Sequence, residues 1–257
     1  MNSRTAFTVV ELLVVVAIIM VLLALLAPAI DKALQSTEKV RCAANVQAHY
    51  VSVYQYAADQ RKQLPPLNDD DGHNQQAGSW SRIFRYNVAG KEWWNLGYLW
   101  RGRYLPAGQG FYCPGQQHPA FRYQDYASPT FPSYNTTWDS PATLATGSTA
   151  VRLSYNFNPI AISLTNRTHR YRRFDQLDSY AITTVDLVEG VTADGLGLGH
   201  PELGGFNVGR GNGSVDFVVD PTMIEDMRNN RTFSGGTSAA DYLMWDSIMN
   251  RLVYPNR

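Results

Sequence analysis

One uninterrupted apolar run near the N-terminus constrains this chain more than any other feature. Leu12–Ile30 holds no charged side chain over 19 positions, and a single carboxylate, Glu11, comes directly before it. As an α-helix these residues span roughly 28 Å, close to the thickness of a bilayer core. Because backbone groups in lipid must be hydrogen-bonded internally, the run is predicted to form a membrane-spanning helix.

The overall composition excludes several classes of protein. The chain has 257 residues, of which 44% are hydrophobic and 12% aromatic, so it is not wholly disordered. Lys and Arg number 22, as do Asp and Glu, so the basic excess typical of a nucleic-acid-binding protein is missing. Two cysteines are too few for a cysteine-rich zinc module or a disulfide-dense scaffold.

The helix is predicted to continue beyond the apolar run. Residues 31–62 contain no Gly and no Pro. We expect one helix from about Phe7 to about Gln60, apolar all round in its first half and amphipathic in its second, ended by Leu64-Pro65-Pro66. The apolar side chains of the second half recur at helical spacing and are expected to pack on the chain's own sheet. They are Val46, Tyr50, Val53 and Ala57.

From Leu67 onward the sequence predicts short strands and long loops, because Gly, Pro, Asn, Ser, Tyr and Trp become frequent. Ser179–Val188 is rich in β-branched residues and is a candidate strand. The stretch GGFNVGRGNGSVDFVVDP, at 204–221, predicts a hairpin with Asn212-Gly213 in its turn. The expected fold class is therefore α+β, with a long N-terminal helix packed on an antiparallel sheet.

The N-terminus resembles a known processing signal. The stretch AFTVVELLVVVAII is similar to the class III signal of type IV prepilins and type II secretion pseudopilins. The resemblance implies that a prepilin peptidase cuts between Ala6 and Phe7 and methylates the new amine of Phe7, with Ala6 standing where the family usually has Gly. It makes Glu11 the family's glutamate at the fifth mature position, which is thought to neutralise the N-terminal amine of a neighbouring subunit. Pro28 falls where many members have a helix-kinking proline.

The same resemblance implies a domain organisation and a set of partners. The chain divides into a leader (1–6), a transmembrane and filament-core helix (7–30), an amphipathic continuation (31–62) and a β-rich periplasmic or extracellular domain (63–257). We expect a pilin-like, single-pass protein of the bacterial inner membrane that reaches a filament or the cell surface after assembly. Its expected partners are the prepilin peptidase, other pilin or pseudopilin subunits and the membrane, without nucleic acid and without enzymatic activity.

Two further stretches resemble pseudopilin-like proteins abundant in the Planctomycetes–Lentisphaerae group of bacteria. Residues 41–66, RCAANVQAHYVSVYQYAADQRKQLPP, are similar to the RCxxNL…YAxDxxGxLPP segment of that family. Residues 200–217 are similar to its C-terminal motif, in which a His precedes Asp-Gly, with Asn212 in place of the Asp. His200 then either belongs to a metal or catalytic pair or organises a turn with the nearby glycines, and Asn212 favours the turn.

The candidate metal ligands are weak. Asp69 and Asp71 lie in the cluster Asn68–Gly72, but its spacing does not fit an EF-hand loop, so Ca²⁺ remains a minor alternative and a solvated loop the default. No Gly-x-Ser-x-Gly, Walker or Gly-x-Gly-x-x-Gly motif stands in a supporting context, so no catalytic residue or cofactor is assigned. The histidines have no zinc-hydrolase spacing; they are His49, His73, His118, His169 and His200.

Two residue groups leave alternatives open. An oxidising compartment would allow Cys42 and Cys113 to form a disulfide, whereas the closeness of Cys42 to the apolar run argues against a contact with the fold. The aromatic cluster in KEWWNLGYLW either packs in the core or stacks on sugars. The second reading gives the alternative function, a membrane-tethered or pilus-borne carbohydrate-binding protein. The cluster comprises Trp93, Trp94, Tyr98 and Trp100.

Overall fold

The computed structural model describes residues 8–66, 82–87, 90–93, 95–116, 121–123, 150–160, 171–186, 199–223, 225 and 252. The fold class is α+β, as the sequence predicts. The α-helices whose bounds fall among the described residues are α1 (Val9–Asp59) and α2 (Gly97–Arg101). The strands are β1 (Arg82–Asn87), β2 (Gly90–Trp93), β3 (Ala150–Arg152), β4 (Tyr155–Ile160), β5 (Ile182–Asp186), β6 (Gly205–Arg210) and β7 (Val215–Val219).

Helix α1 is 51 residues long and agrees closely with the predicted bounds. It begins at a capping box formed by Thr8 and Glu11 and ends just before Gln60, whose N–H donates to the Tyr56 carbonyl. Arg61 and Lys62 follow with positive φ angles of 54° and 67°. The helix therefore ends in two residues of left-handed conformation, a few positions before the prolines that were predicted to end it.

The main sheet has the order β4-β5-β6-β7 and is antiparallel throughout. The predicted hairpin is present as β6 and β7, in which Phe206 pairs with Val218 and Gly209 with Val215. Its turn contains Asn212, whose Oδ1 accepts from the Ser214 N–H, and Gly213, whose φ is +86°. Strand β5 lies inside the predicted Ser179–Val188.

The distal half of α1 packs on strands β5, β6 and β7. Four side chains of this half were predicted to pack on the sheet. Val46, Val53 and Ala57 are buried, as predicted, whereas Tyr50 is half-buried. The buried stripe also starts one turn earlier than predicted, at Cys42, and includes His49 and Ser52. The helix therefore joins the sheet closer to its apolar half than the apolar periodicity indicates.

A second, three-stranded sheet has the order β2-β1-β3, with antiparallel pairing. Sequence patterning did not predict it. Near it, α2 and a 3₁₀ turn at Gly108–Phe111 contact the far end of α1. The apolar core there brings together residues from five separate stretches of the chain. Its buried members are Val53, Leu64, Trp93, Leu96, Leu99, Phe111, Tyr112, Leu153 and Phe157.

Candidate functional site

The N-terminal half of α1 is an apolar surface without cover. Every residue from Thr8 to Leu34 is exposed, and the exposed fraction reaches 79% at Val9 and 72% at Leu25. Among the described residues, α1 is the single helix long and apolar enough to cross a membrane. An apolar face of this size is stable only in lipid or against other apolar surfaces.

Glu11, the candidate assembly residue, caps its own helix. Its Oε2 accepts from the Thr8 N–H at 2.8 Å and from the Thr8 hydroxyl at 2.9 Å. In return the Thr8 hydroxyl accepts from the Glu11 N–H at 3.3 Å. The sequence shows Glu11 as a lone carboxylate, whereas the structure gives it a local partner. Both Thr8 groups lie after the predicted cleavage position, so cleavage there would leave the capping box intact.

The other predicted processing and assembly residues are located as follows. Pro28 lies inside α1, within the exposed apolar half, where it removes one backbone donor. Ala6 and Phe7 lie outside the described residues, as do the calcium candidates Asp69 and Asp71 and the aromatic residue Trp94.

The distal half of α1 has a second face, opposite the sheet, that is also partly apolar. Val40 is 61% exposed, Val51 44% and Tyr54 56%. The spacing between Val40 and Val51 is three helical turns, so the two side chains lie on one side of the helix. The outer face of α1 therefore carries exposed apolar side chains at three positions beyond the membrane-length half.

His49 lies on the buried face of α1 and is a structural residue. Its Nε2 lies 3.0 Å from the Gly110 carbonyl oxygen, which can only accept, so Nε2 carries the proton. The ring packs against Tyr155 at 4.8 Å and Phe111 at 5.5 Å between centroids. Burial lowers the pKa of His49 to about 4, against the opposing effect of the Gly110 carbonyl. The imidazole is therefore neutral at physiological pH.

Cys42 and Cys113 form a disulfide that fastens α1 to the loop after the 3₁₀ turn at Gly108–Phe111. Their Cα atoms are 5.2 Å apart and 71 residues separate them in sequence. Closing a loop of that length contributes about 4 kcal/mol in the chain-entropy model. Both sulfurs are buried beside Val46 and Tyr155. Of the two alternatives that the sequence leaves open, the structure contains the disulfide.

A buried histidine and carboxylate adjoin this disulfide. His200 Nε2 lies 3.4 Å from Cys113 Sγ and 3.7 Å from Asp186 Oδ2. Asp186 Oδ2 accepts from the Asn207 backbone N–H at 2.7 Å and from its Nδ2 at 2.8 Å. We refer to Cys42, Cys113, Asp186 and His200 as the disulfide cluster. Four separate segments contribute to it: α1, the loop that carries Cys113, β5 and the segment before β6.

Backbone packing holds the cluster closed. A Cβ at Gly115 would lie 2.8 Å from the Gly199 carbonyl oxygen and 3.2 Å from His200 Nδ1. The loop after Cys113 and the segment before His200 thus approach too closely for any side chain at position 115. Asn207 Nδ2 also reaches the Lys39 carbonyl at 3.4 Å, which ties β6 to α1.

Burial sets the protonation states in the cluster. It raises the pKa of Asp186 to about 7, although both hydrogen bonds from Asn207 oppose the shift. Burial also lowers the pKa of His200 to about 4, with the positive charge of Lys39 adding to the effect. At neutral pH His200 is therefore uncharged, and its 3.7 Å contact with Asp186 is not an ion pair.

The sequence singled out His200 but did not predict which acidic side chain would lie beside it. The partner is Asp186, at the end of β5, and not position 212, where Asn212 serves the hairpin turn. Asp186 ends the β-branched strand ITTVD, so a charge at the end of a predicted strand was the available signal. Asn207 and Tyr155 carried no such signal, because their contacts arise from strand register.

The described part of the aromatic cluster packs inside the domain. Trp93 is 6% exposed and lies in the core, against which Tyr98 and Trp100 pack as half-buried side chains. The Trp100 and Phe111 rings meet edge to face with centroids 6.4 Å apart. A sugar-stacking platform needs open ring faces, which Trp93 does not offer.

Comparison with protein-family models, curated proteins and solved structures found no match for this chain.

Proposed function

We propose that this protein is a structural subunit of a type IV pilus-like filament or type II secretion pseudopilus, and not an enzyme. A prepilin peptidase would cut it between Ala6 and Phe7 and methylate Phe7. The subunit would wait in the inner membrane with its domain in the periplasm. It would then enter a filament through its N-terminal helix.

The observation that carries this proposal is the division of α1 into two halves. Residues 8–34 are exposed all round, whereas the stripe from Cys42 to Ala57 is buried on the sheet. A simple membrane anchor needs no rigid connection to its domain. Here one uninterrupted helix and a disulfide at Cys42 fix the direction of the apolar half relative to the sheet. Such rigidity suits a subunit whose apolar half must pack at a defined register against other helices.

Packing against other helices would cover the exposed surface. In lipid the apolar half gains little by hydrophobic burial, so helix association depends on close packing and on polar pairing. Glu11 lies at the edge of the apolar run, where a charged partner would matter most. In the free subunit the Thr8 cap holds the carboxylate, and in the filament the methylated amine of a neighbour would take over as its partner.

Two variants separate the charge of Glu11 from its capping role. Glu11→Gln removes the charge, while the side-chain oxygen can still accept from Thr8 as in a capping box. Thr8→Ala removes the hydroxyl of the cap and keeps the carboxylate. We expect Glu11→Gln to abolish sheared filaments in the native cells, with membrane insertion unchanged by fractionation, and Thr8→Ala to assemble. Wild-type filament yield from Glu11→Gln would contradict the proposal.

A further inference from the structure

The disulfide cluster places donor atoms for a metal ion around one point. The two cysteine sulfurs and a ring nitrogen of His200 all lie within 4.8 Å of one another. The Asp186 carboxylate adds an oxygen 3.7 Å from the same Nε2. Two thiolates, an imidazole and a carboxylate make up a donor set that Zn²⁺ accepts in tetrahedral sites.

The spacing of Cys113, His200 and Asp186 is close to two of the six edges of a zinc tetrahedron. Standard bond lengths to zinc place sulfur and nitrogen ligands about 3.5 Å apart, and nitrogen and oxygen ligands about 3.4 Å apart. The corresponding distances are 3.4 Å for Cys113 Sγ to His200 Nε2 and 3.7 Å for Nε2 to Asp186 Oδ2. The two sulfurs must separate, from a bonded contact to about 3.8 Å, which side-chain rotation about Cα–Cβ can supply. The Asp186 carboxylate lies outside the group of donors that are all within 4.8 Å of one another, so it must also move towards the sulfurs.

The surroundings of Asp186 point to a ligand as well. The side chain is fully buried, and among the described residues its Oδ1 has no hydrogen-bond partner. Asn207 holds Oδ2, the oxygen 3.7 Å from His200 Nε2, through two hydrogen bonds, so Oδ1 is the oxygen left to bind a cation and the carboxylate must turn to present it. A buried carboxylate oxygen without a partner is costly, and a cation beside it would remove that cost.

We propose that the disulfide cluster is a redox-dependent zinc site, in which the disulfide and Zn²⁺ are alternative cross-links. A dithiol reductant would transfer two electrons and two protons to the cluster, forming its own disulfide as the Cys42–Cys113 bond breaks. Zn²⁺ would then displace the two thiol protons to solvent and bind Cys42, Cys113, His200 and Asp186. In either state α1 remains fastened to the sheet.

The test compares the reduced and oxidised full-length chain in detergent micelles. The protein is reduced with a phosphine, freed of reductant without oxygen and titrated with Co²⁺, then with Zn²⁺. We expect the reduced chain to bind one Co²⁺ with thiolate-to-cobalt charge-transfer absorption and tetrahedral visible bands, and Zn²⁺ to displace it. The oxidised chain should show neither signal. Reoxidation by a disulfide donor should be slower with Zn²⁺ bound.

Variants identify the ligands. His200→Gln and Asp186→Asn should each weaken Co²⁺ binding by at least about tenfold. Glu202→Gln, an exposed carboxylate two positions from His200, is the matched control and should bind as wild type. The double variant Cys42→Ala/Cys113→Ala should lose the charge-transfer band.

Two outcomes would overturn the zinc site. One is a reduced chain that gives no thiolate–cobalt absorption and whose near-UV circular dichroism does not respond to Zn²⁺. The other is equal binding by the reduced and oxidised chains. Neither outcome bears on filament assembly, because the site does not depend on that proposal.

Discussion

At the scale of single residues, Asp186 and His200 show how burial decides chemistry. Burial is the largest cause of both pKa shifts: it raises the pKa of Asp186 to about 7 and lowers the pKa of His200 to about 4. The two pKa shifts act on stability in opposite pH directions. A raised carboxyl pKa costs stability as pH rises, whereas a lowered imidazole pKa costs stability as pH falls.

The first prediction concerns Asp186→Asn. The pKa of Asp186 is about 7 in the folded chain against 3.8 as its ordinary value, so the wild type loses stability as pH rises between these values. Asn stays neutral, and we expect its advantage over wild type to grow from pH 4 to pH 7 by at most about 4 kcal/mol, then to level off. Urea unfolding of both chains across this pH range measures the difference in their free energies of unfolding. The Cys42–Cys113 disulfide must stay intact throughout.

His200 and His49 do not disturb that comparison. Their lowered pKa values reduce stability as pH falls from about 6.5 towards 4, and they do so in both chains because burial is the main cause. An Asn advantage that is constant with pH, or that shrinks as pH rises, would show that Asp186 is ionised in the fold at low pH.

The second prediction concerns Gly213 in the hairpin turn. Its φ is +86°, and a Cβ there would lie 2.7 Å from Tyr50 Cε1 on α1. We therefore expect Gly213→Ala to lower the free energy of unfolding by about 1–2 kcal/mol. At Gly110 a Cβ would meet Leu105 at an ordinary 3.6 Å, so Gly110→Ala serves as the control with a small change. Equal losses from both variants would contradict this account.

At the scale of elements, α1 has two separate tasks. Its inner stripe builds the domain, because Cys42, Val46 and Val53 are each at most 1% exposed. Its N-terminal half and the outer-face residues Val40 and Val51 are exposed and available for other contacts. A substitution on one face should therefore affect folding, and a substitution on the other should affect assembly.

The third prediction uses the outer face. Val40→Lys introduces a charge at a side chain that is 61% exposed, so we expect the midpoint of thermal unfolding to change little. If the outer face packs between subunits, the same variant should lower filament yield severalfold. Tyr180→Lys, at a position 63% exposed in the turn before β5, is the matched control and should assemble normally. Full assembly of Val40→Lys would mean that the outer face is not buried in the filament.

At the scale of the whole molecule, the sequence predicts what is local and misses what is distant. Helix α1, strand β5 and the β6–β7 hairpin follow from periodicity and from Asn212-Gly213, since neighbouring residues determine them. The β2-β1-β3 sheet depends on strands 63 residues apart, from Asn87 to Ala150, and no local pattern encodes that pairing.

The candidate site divides in the same way. Glu11 is visible in the sequence because a charge beside an apolar run is conspicuous, and its Thr8 cap lies three residues away. The disulfide cluster was not visible, because Cys42, Cys113, Asp186 and His200 lie in four distant stretches. Their meeting depends on the docking of α1 on the finished sheet, so a prediction from spacing alone could assign neither the acidic partner of His200 nor the disulfide.

The most direct test of the central claim is the intact mass and N-terminal sequence of the protein recovered from its native cells. The filament proposal predicts a chain that begins at Phe7 and whose mass exceeds that calculated for residues 7–257 by one methyl group. The capping box of Thr8 and Glu11 would then stand one residue from the new amine. A chain that begins at Met1, or at a position beyond Glu11, would contradict prepilin processing and leave α1 as an ordinary membrane anchor.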